Sequence, residues 1–151
     1  MSNPVSVEVI GLPEFAAALA RLGAVAAEDN LILAAKAGAM PIRNAAAEGA
    51  PKKTRTLSRS IHIEILSSSR ASVEVMVGTD VIYAAIHEFG GVITPKKAKA
   101  LAFEIGGELI FARSVHIPAR PYLRPAFDTN LEKAKSEIAA VLTKLLGEVA
   151  R

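Results

Sequence analysis

The sequence predicts one α+β domain, a mainly antiparallel four-stranded sheet packed by N-terminal helices and a long C-terminal helix. Three observations predict it. From Phe127 to Val149 apolar residues recur with the 3.6-residue period of a helix. I-H-I-E-I-L (Ile61 to Leu66) and V-E-V-M-V (Val73 to Val77) alternate with the period of two that marks half-buried strands. Between L-A-F-E-I and E-L-I-F-A stand Gly106 and Gly107, a pair suited to a two-residue hairpin turn with positive φ.

Taken in order, Val5, Val7 and Val9 alternate weakly and fit a short edge strand over Ser6 to Gly11. G-L-P-E then opens a helix: Pro13 suits a first turn, Glu14 complements the dipole, and Leu12, Phe15, Leu19 and Leu22 form one stripe that fades near Gly23. A second helix spans about Glu28 to Glu48, with Leu31, Ala34, Ala35, Ala39 and Ile42 on one face. Pro41 falls inside it and predicts a kink, and Gly49, Ala50 and Pro51 end it. In the first strand Ile61, Ile63 and Ile65 point inward while His62 and Glu64 point out, and Ser67 to Arg70 turn the chain into the second strand. A short helix from Tyr83 to Phe89 stops at Gly90 and Gly91. A polar loop follows, from Thr94 to Lys99, and then the Gly-Gly hairpin. From Ile117 to Phe127 the prolines 118, 121 and 125 predict an extended backbone outside any sheet. The last helix buries Phe127, Leu131, Ala134, Ile138, Val141, Leu142, Leu145 and Val149 on one stripe, with Asp128 or Thr129 as its N-cap.

Composition narrows the function. With 151 residues, 51% of them hydrophobic, one domain can bury a core without staples. The chain has no cysteine, which removes disulfides, thiolate nucleophiles and Cys-based metal sites and fits a reducing cytoplasm. No apolar run approaches the roughly 20 residues of a membrane span, and M-S-N-P-V-S-V-E-V lacks a signal-peptide pattern, so the expectation is a soluble, unsecreted protein with no membrane partner. The net charge of +3 is unevenly spread: Ala50 to Arg124 holds eleven basic and six acidic residues. Such a surface faces DNA, an acidic protein or water.

Catalytic patterns are missing. His87-Glu88 lacks the second histidine of a zincin helix, and no nucleophile elbow, P-loop or dinucleotide fingerprint occurs. No cofactor and no enzyme activity are expected. A metal-dependent hydrolase requires His62, His87 and His116 to converge with Glu88, and a small basic DNA-binding protein is the other alternative. The basic candidates are Lys52, Lys53, Arg55 and Arg59 before the first strand, and Lys96, Lys97 and Lys99 in the polar loop.

The richest stretch for docking joins Y-A-A-I-H-E-F-G-G (Tyr83 to Gly91) to I-P-A-R-P-Y-L-R-P-A-F (Ile117 to Phe127). Its candidate contacts are Tyr83, His87, Glu88, Phe89, Arg120, Tyr122 and Arg124, since arginine grips carboxylates with two hydrogen bonds and a stiff backbone loses less entropy on docking. These motifs, preceded by A-P-K-K-T-R-T-L-S-R-S-I (Ala50 to Ile61) and followed by an amphipathic helix, resemble the neck and tail-completion proteins of long-tailed bacteriophages. That group includes minor tail proteins of siphophages and virion-morphogenesis proteins of Mu-like phages. The resemblance covers roughly Ala50 to Arg151 and departs from the pattern at Arg55, where the family usually has glycine, which puts a tight turn there in question. It implies a structural virion protein at the neck or proximal tail, made in the host cytoplasm. Its copies would form a ring, sixfold like neighbouring tail rings, against neck and tail-tube proteins, and Lys96, Lys97 and Lys99 would reach a lumen where phage DNA passes.

Overall fold

The computed structural model describes residues 20, 22–52 and 55–149. The expected edge strand, most of the first expected helix and Lys53 lie outside the described residues. The elements are α1 (Glu28–Gly49), α2 (Thr56–Ser60), β1 (His62–Ser68), β2 (Val73–Gly78), α3 (Ala84–Phe89), β3 (Gly91–Ile93), β4 (Leu101–Ile105), β5 (Glu108–Ala112), β6 (Val115–Ile117) and α4 (Leu123–Val149). The class is α+β, as the sequence predicts.

The scaffold is the pairing of α1 with α4. Small residues set their separation: Ala34, Gly38, Ala39, Ile42 and Ala46 form the buried stripe of α1, and Ala134 is buried on α4. At Gly38 a Cβ would stand 2.6 Å from Ile138 Cγ1 and 3.0 Å from the Ala134 carbonyl oxygen, so the close approach depends on that missing atom. The 22-residue α1 continues through Pro41 as one helical run. Its first turn carries Glu28 and Asp29, which complement the positive end of its dipole.

The strands make three two-stranded antiparallel ribbons, β1–β2, β3–β6 and β4–β5, where one four-stranded sheet was expected. The difference comes from β3 and β6. Gly91, Val92 and Ile93 pair with Ile117, His116 and Val115, which closes the chain from 91 to 117 into an arm. The β4–β5 hairpin is nested inside that arm and is thereby kept apart from β1–β2. Three-residue strands are too short to show a period of two, and so β3 and β6 were not anticipated. The β1–β2 ribbon packs on α1. A bulge between Ile65 and Ser67 interrupts its register, and Ile63 and Ile65 are half-buried as expected, with Glu64 exposed.

One core joins the three sequence motifs. Leu57 and Ile61, from the first, are the largest fully buried side chains, and they pack with Ala46, Ala50, Ala84, Tyr122 and Ala126. Polar ties surround them: Ser58 Oγ donates to the Ala47 carbonyl at 2.6 Å, and Arg43 Nε donates to the Ile61 carbonyl at 3.0 Å.

The turn at Arg55 survives its departure from glycine. Arg55 is the N-cap of α2 at φ 57° and ψ 5°, in the left-handed region, and its carbonyl accepts the first helical bond from the Arg59 amide. Holding a side chain there costs about 1 kcal/mol. Arg55→Gly is therefore expected to stabilise the protein by about 1 kcal/mol in urea unfolding; a destabilised variant would show that the guanidinium has a compensating role.

The start of α4 differs from expectation. It begins at Leu123, upstream of both Asp128 and Thr129. Arg124 and Pro125 therefore stand in a helical turn where an extended backbone was expected. Asp128 pairs with Arg124 at 3.3 Å, and Thr129 Oγ1 donates to the Pro125 carbonyl at 2.8 Å, both within the helix.

Candidate functional site

Glu88 explains where α4 starts. An α-helix leaves its first four amides without intrahelical acceptors. In α4 these are the amides of Tyr122, Leu123 and Arg124 together with Pro125, which has none. Glu88 Oε2 accepts from Tyr122 at 2.8 Å and from Leu123 at 2.9 Å, and Oε1 accepts from Arg124 at 2.9 Å. A single carboxylate and one proline thus settle all four positions. Glu88 is only 8% exposed. Burial pushes its pKa up, but the three amide hydrogen bonds and the Arg124 charge outweigh that and hold the carboxyl below its ordinary 4.5. Tyr122, buried beside it, has its phenol raised by burial first and by the Glu88 charge second.

The glycines complete the join. Gly90 donates its amide to the Ile86 carbonyl at 2.9 Å and so ends α3. It does so at φ 70°, and a Cβ there would meet Ala119 N at 2.7 Å and the Ile117 carbonyl oxygen at 3.0 Å. The Arg120 amide donates to the His87 carbonyl at 2.7 Å. E-F-G-G and I-P-A-R-P-Y-L-R are therefore one structural unit assembled from both sides of the arm.

This unit divides the candidate docking residues. Glu88 and Tyr122 are spent inside the fold. His87 is half-buried, its ring edge-on to Tyr83 with centroids 5.9 Å apart. Tyr83, Phe89, Arg120 and Arg124 are at the surface. Phe89 is 80% exposed and neighbouring Ile82 97%. Ile82 was not among the expected contacts, because nothing in V-I-Y-A-A marks which side the short helix presents. Phe89 and Arg124 stand on a groove of about 550 Å³, open and mostly apolar, lined also by Val75, Val77, Leu123 and Phe127. Phe127 and Leu131, assigned to the buried stripe of α4, remain exposed.

The basic candidates fall in two places. Lys52, Arg55 and Arg59 line a second concavity of about 500 Å³ with Arg43 and Glu48. Arg43 gives no signal in sequence, standing alone in an Ala-rich helix. Lys96, Lys97 and Lys99 are exposed in the loop before β4. The histidines sit on separate elements. His62 Nδ1 donates to the Ser60 carbonyl at 2.9 Å with Nε2 4.0 Å from Asp80, His87 meets Tyr83, and His116 pairs with Val92 in β6. Among the described residues no three His, Asp or Glu side chains gather as a metal would need, and no helix is long and apolar enough to cross a membrane.

A family model described as the phage virion morphogenesis family matches residues 36–146. The match begins inside α1, upstream of the first motif, and takes in all three motifs, the arm and nearly all of α4. No curated protein and no solved structure matches the chain.

Proposed function

The chain belongs to the phage virion morphogenesis family, and on that premise we propose that its copies form a ring, hexameric in the simplest case, at the head–tail joint or proximal tail end of the virion. Building the phage particle is the family's role; the ring and its place are this reading's addition. The ring completes the tail and joins it to the neighbouring neck and tail-tube proteins by repetition of one heterologous contact. Assembly, with no bond made or broken, is the activity.

One observation carries the reading. Once the motifs have satisfied each other's polar groups, Ile82, Phe89 and Phe127 still stand exposed, two of them on an apolar groove. Apolar patches of this kind mark protein interfaces. Electron microscopy of the purified protein at high concentration is expected to show closed rings or stacks. A chain that stays monomeric, both alone and with its tail-tube partner, overturns the reading.

Contact with phage DNA is a second element, favoured by the gathering of Arg43, Lys52, Arg55 and Arg59 around one concavity. Such contact is sequence-independent and weakens steeply with salt. Binding of duplex DNA that does not change between low and physiological salt counts against it.

A further inference from the structure

Among the described residues, the β4–β5 hairpin is largely uncovered by the rest of the fold. The two strands pair with each other and pack extensively on no other element. Their register puts Leu101 opposite Ala112 and Phe103 opposite Ile110 on one face, and Ala102 opposite Phe111 and Glu104 opposite Leu109 on the other. Each face is apolar apart from one glutamate, Glu108 opposite Ile105 on the first and Glu104 on the second. A solvated hairpin ordinarily keeps one polar face, and a lone two-stranded ribbon is marginal in water. Here Leu109 is 63% and Phe111 66% exposed. The β3–β6 ribbon closes the base of the arm that carries this surface.

The same chain offers a matching recess. The groove along β2, α1 and α4 is walled by Val73, Val75, Val77, Ile42 and Phe127 and is left unfilled by the described residues. Its charged neighbours match the hairpin. Residues 101–112 contain Glu104 and Glu108 and no lysine or arginine. At the groove, Glu88 is consumed by three amides, which leaves Arg124 as the cation of its lining, its side chain 79% exposed and in an exposed ion pair with Asp128 one helical turn on. An apolar strand pair carrying two carboxylates and an apolar groove edged by the exposed Arg124 guanidinium, held on its own helix only by a solvent-exposed ion pair, are complementary to each other.

We propose that the β4–β5 hairpin of one copy seats in the α1–β2–α4 groove of the next copy, so that the arm is the repeated link between subunits. This rests on the ring reading and deepens it by naming both halves of the contact. It also makes the contact heterologous, as a closed ring requires, because hairpin and groove are different surfaces.

The cysteine-free sequence permits a direct test. Single cysteines are placed in full-length protein at exposed hairpin positions (Ile105→Cys, Leu109→Cys, Phe111→Cys) and, in separate preparations, at groove positions (Phe89→Cys, Phe127→Cys). Mixed and oxidised, hairpin and groove variants are expected to give covalent dimers on non-reducing gels, and variants carrying both cysteines are expected to give ladders. Rings that assemble while no pair in the panel cross-links overturn the arm proposal and leave the ring reading standing. Absence of both rings and cross-links overturns both. A double variant that closes only within its own chain shows the hairpin folding back and also overturns the proposal. As a check independent of cysteine, Glu104→Lys with Glu108→Lys is expected to weaken assembly at least tenfold in concentration, with recovery when Arg124→Glu is added; equal assembly in all three proteins counts against the charge match.

Discussion

Glu88→Gln is expected to destabilise the protein by about 3 kcal/mol at neutral pH, because a glutamine offers one acceptor oxygen where three buried amides need two and removes the charge facing the helix dipole. The glutamine amide would instead point two donors at donors. Urea unfolding at fixed protein concentration measures the loss, and amide exchange should quicken first at Tyr122, Leu123 and Arg124. The pH dependence has a defined sign. The folded carboxyl lies below its ordinary 4.5, so its stabilising contribution is complete above that value and is lost as pH falls through the lower folded pKa. The gap between wild type and Glu88→Gln is thus widest above about pH 5 and closes in acid. A gap that widens in acid, or no gap at neutral pH, would show that Glu88 does not cap α4.

Gly90→Ala is the second large effect, expected to cost about 3 kcal/mol or more, as left-handed strain adds to a collision with backbone. The obstructing atoms, Ala119 N and the Ile117 carbonyl oxygen, cannot rotate aside as a side chain would. Gly106 supplies the internal control. It has φ 62° with nothing within 4 Å of a Cβ, so Gly106→Ala should cost only the conformational term of about 1 kcal/mol. Thermal unfolding of the two variants side by side tests this, and equal losses would mean that the join between α3 and the proline-rich segment is looser than its distances indicate.

These two residues also show what can be read without coordinates. The stripe of α4, the alternation in β1 and β2 and the Gly-Gly hairpin were legible because each is a periodicity or a pair within a few neighbours. The origin of α4 was not, because its cap sits 34 residues upstream at Glu88; local capping signals favoured Asp128 and Thr129. Glu88 and Tyr122 read as surface residues for the same reason: a charged side chain near a Gly-Gly pair and an amphipathic one beside a proline suggest docking unless the three amides that Glu88 serves are known. Arg55 is the converse. The glycine expected from the resemblance pointed to a left-handed turn, and the turn persists with arginine in it at φ 57°. Strands β1, β2, β4 and β5 were found, but β3 and β6, and with them the grouping into ribbons, were not, since three-residue pairs such as Val92 with His116 carry no pattern of their own.

By itself, then, the sequence determined the types of the longer elements, the cysteine-free and centrally basic character, and the family, through motifs whose order and spacing are visible along the chain. Only the tertiary structure decided that those motifs hold one another in place, that Glu88 is buried, that the strands separate into ribbons, and that, among the described residues, a largely uncovered hairpin and an unfilled groove occur together. The reason is range. Helical and strand periods arise from each residue's nearest neighbours, whereas a carboxylate meeting three amides across a closed loop depends on how the whole chain returns on itself, and local preference carries no record of that.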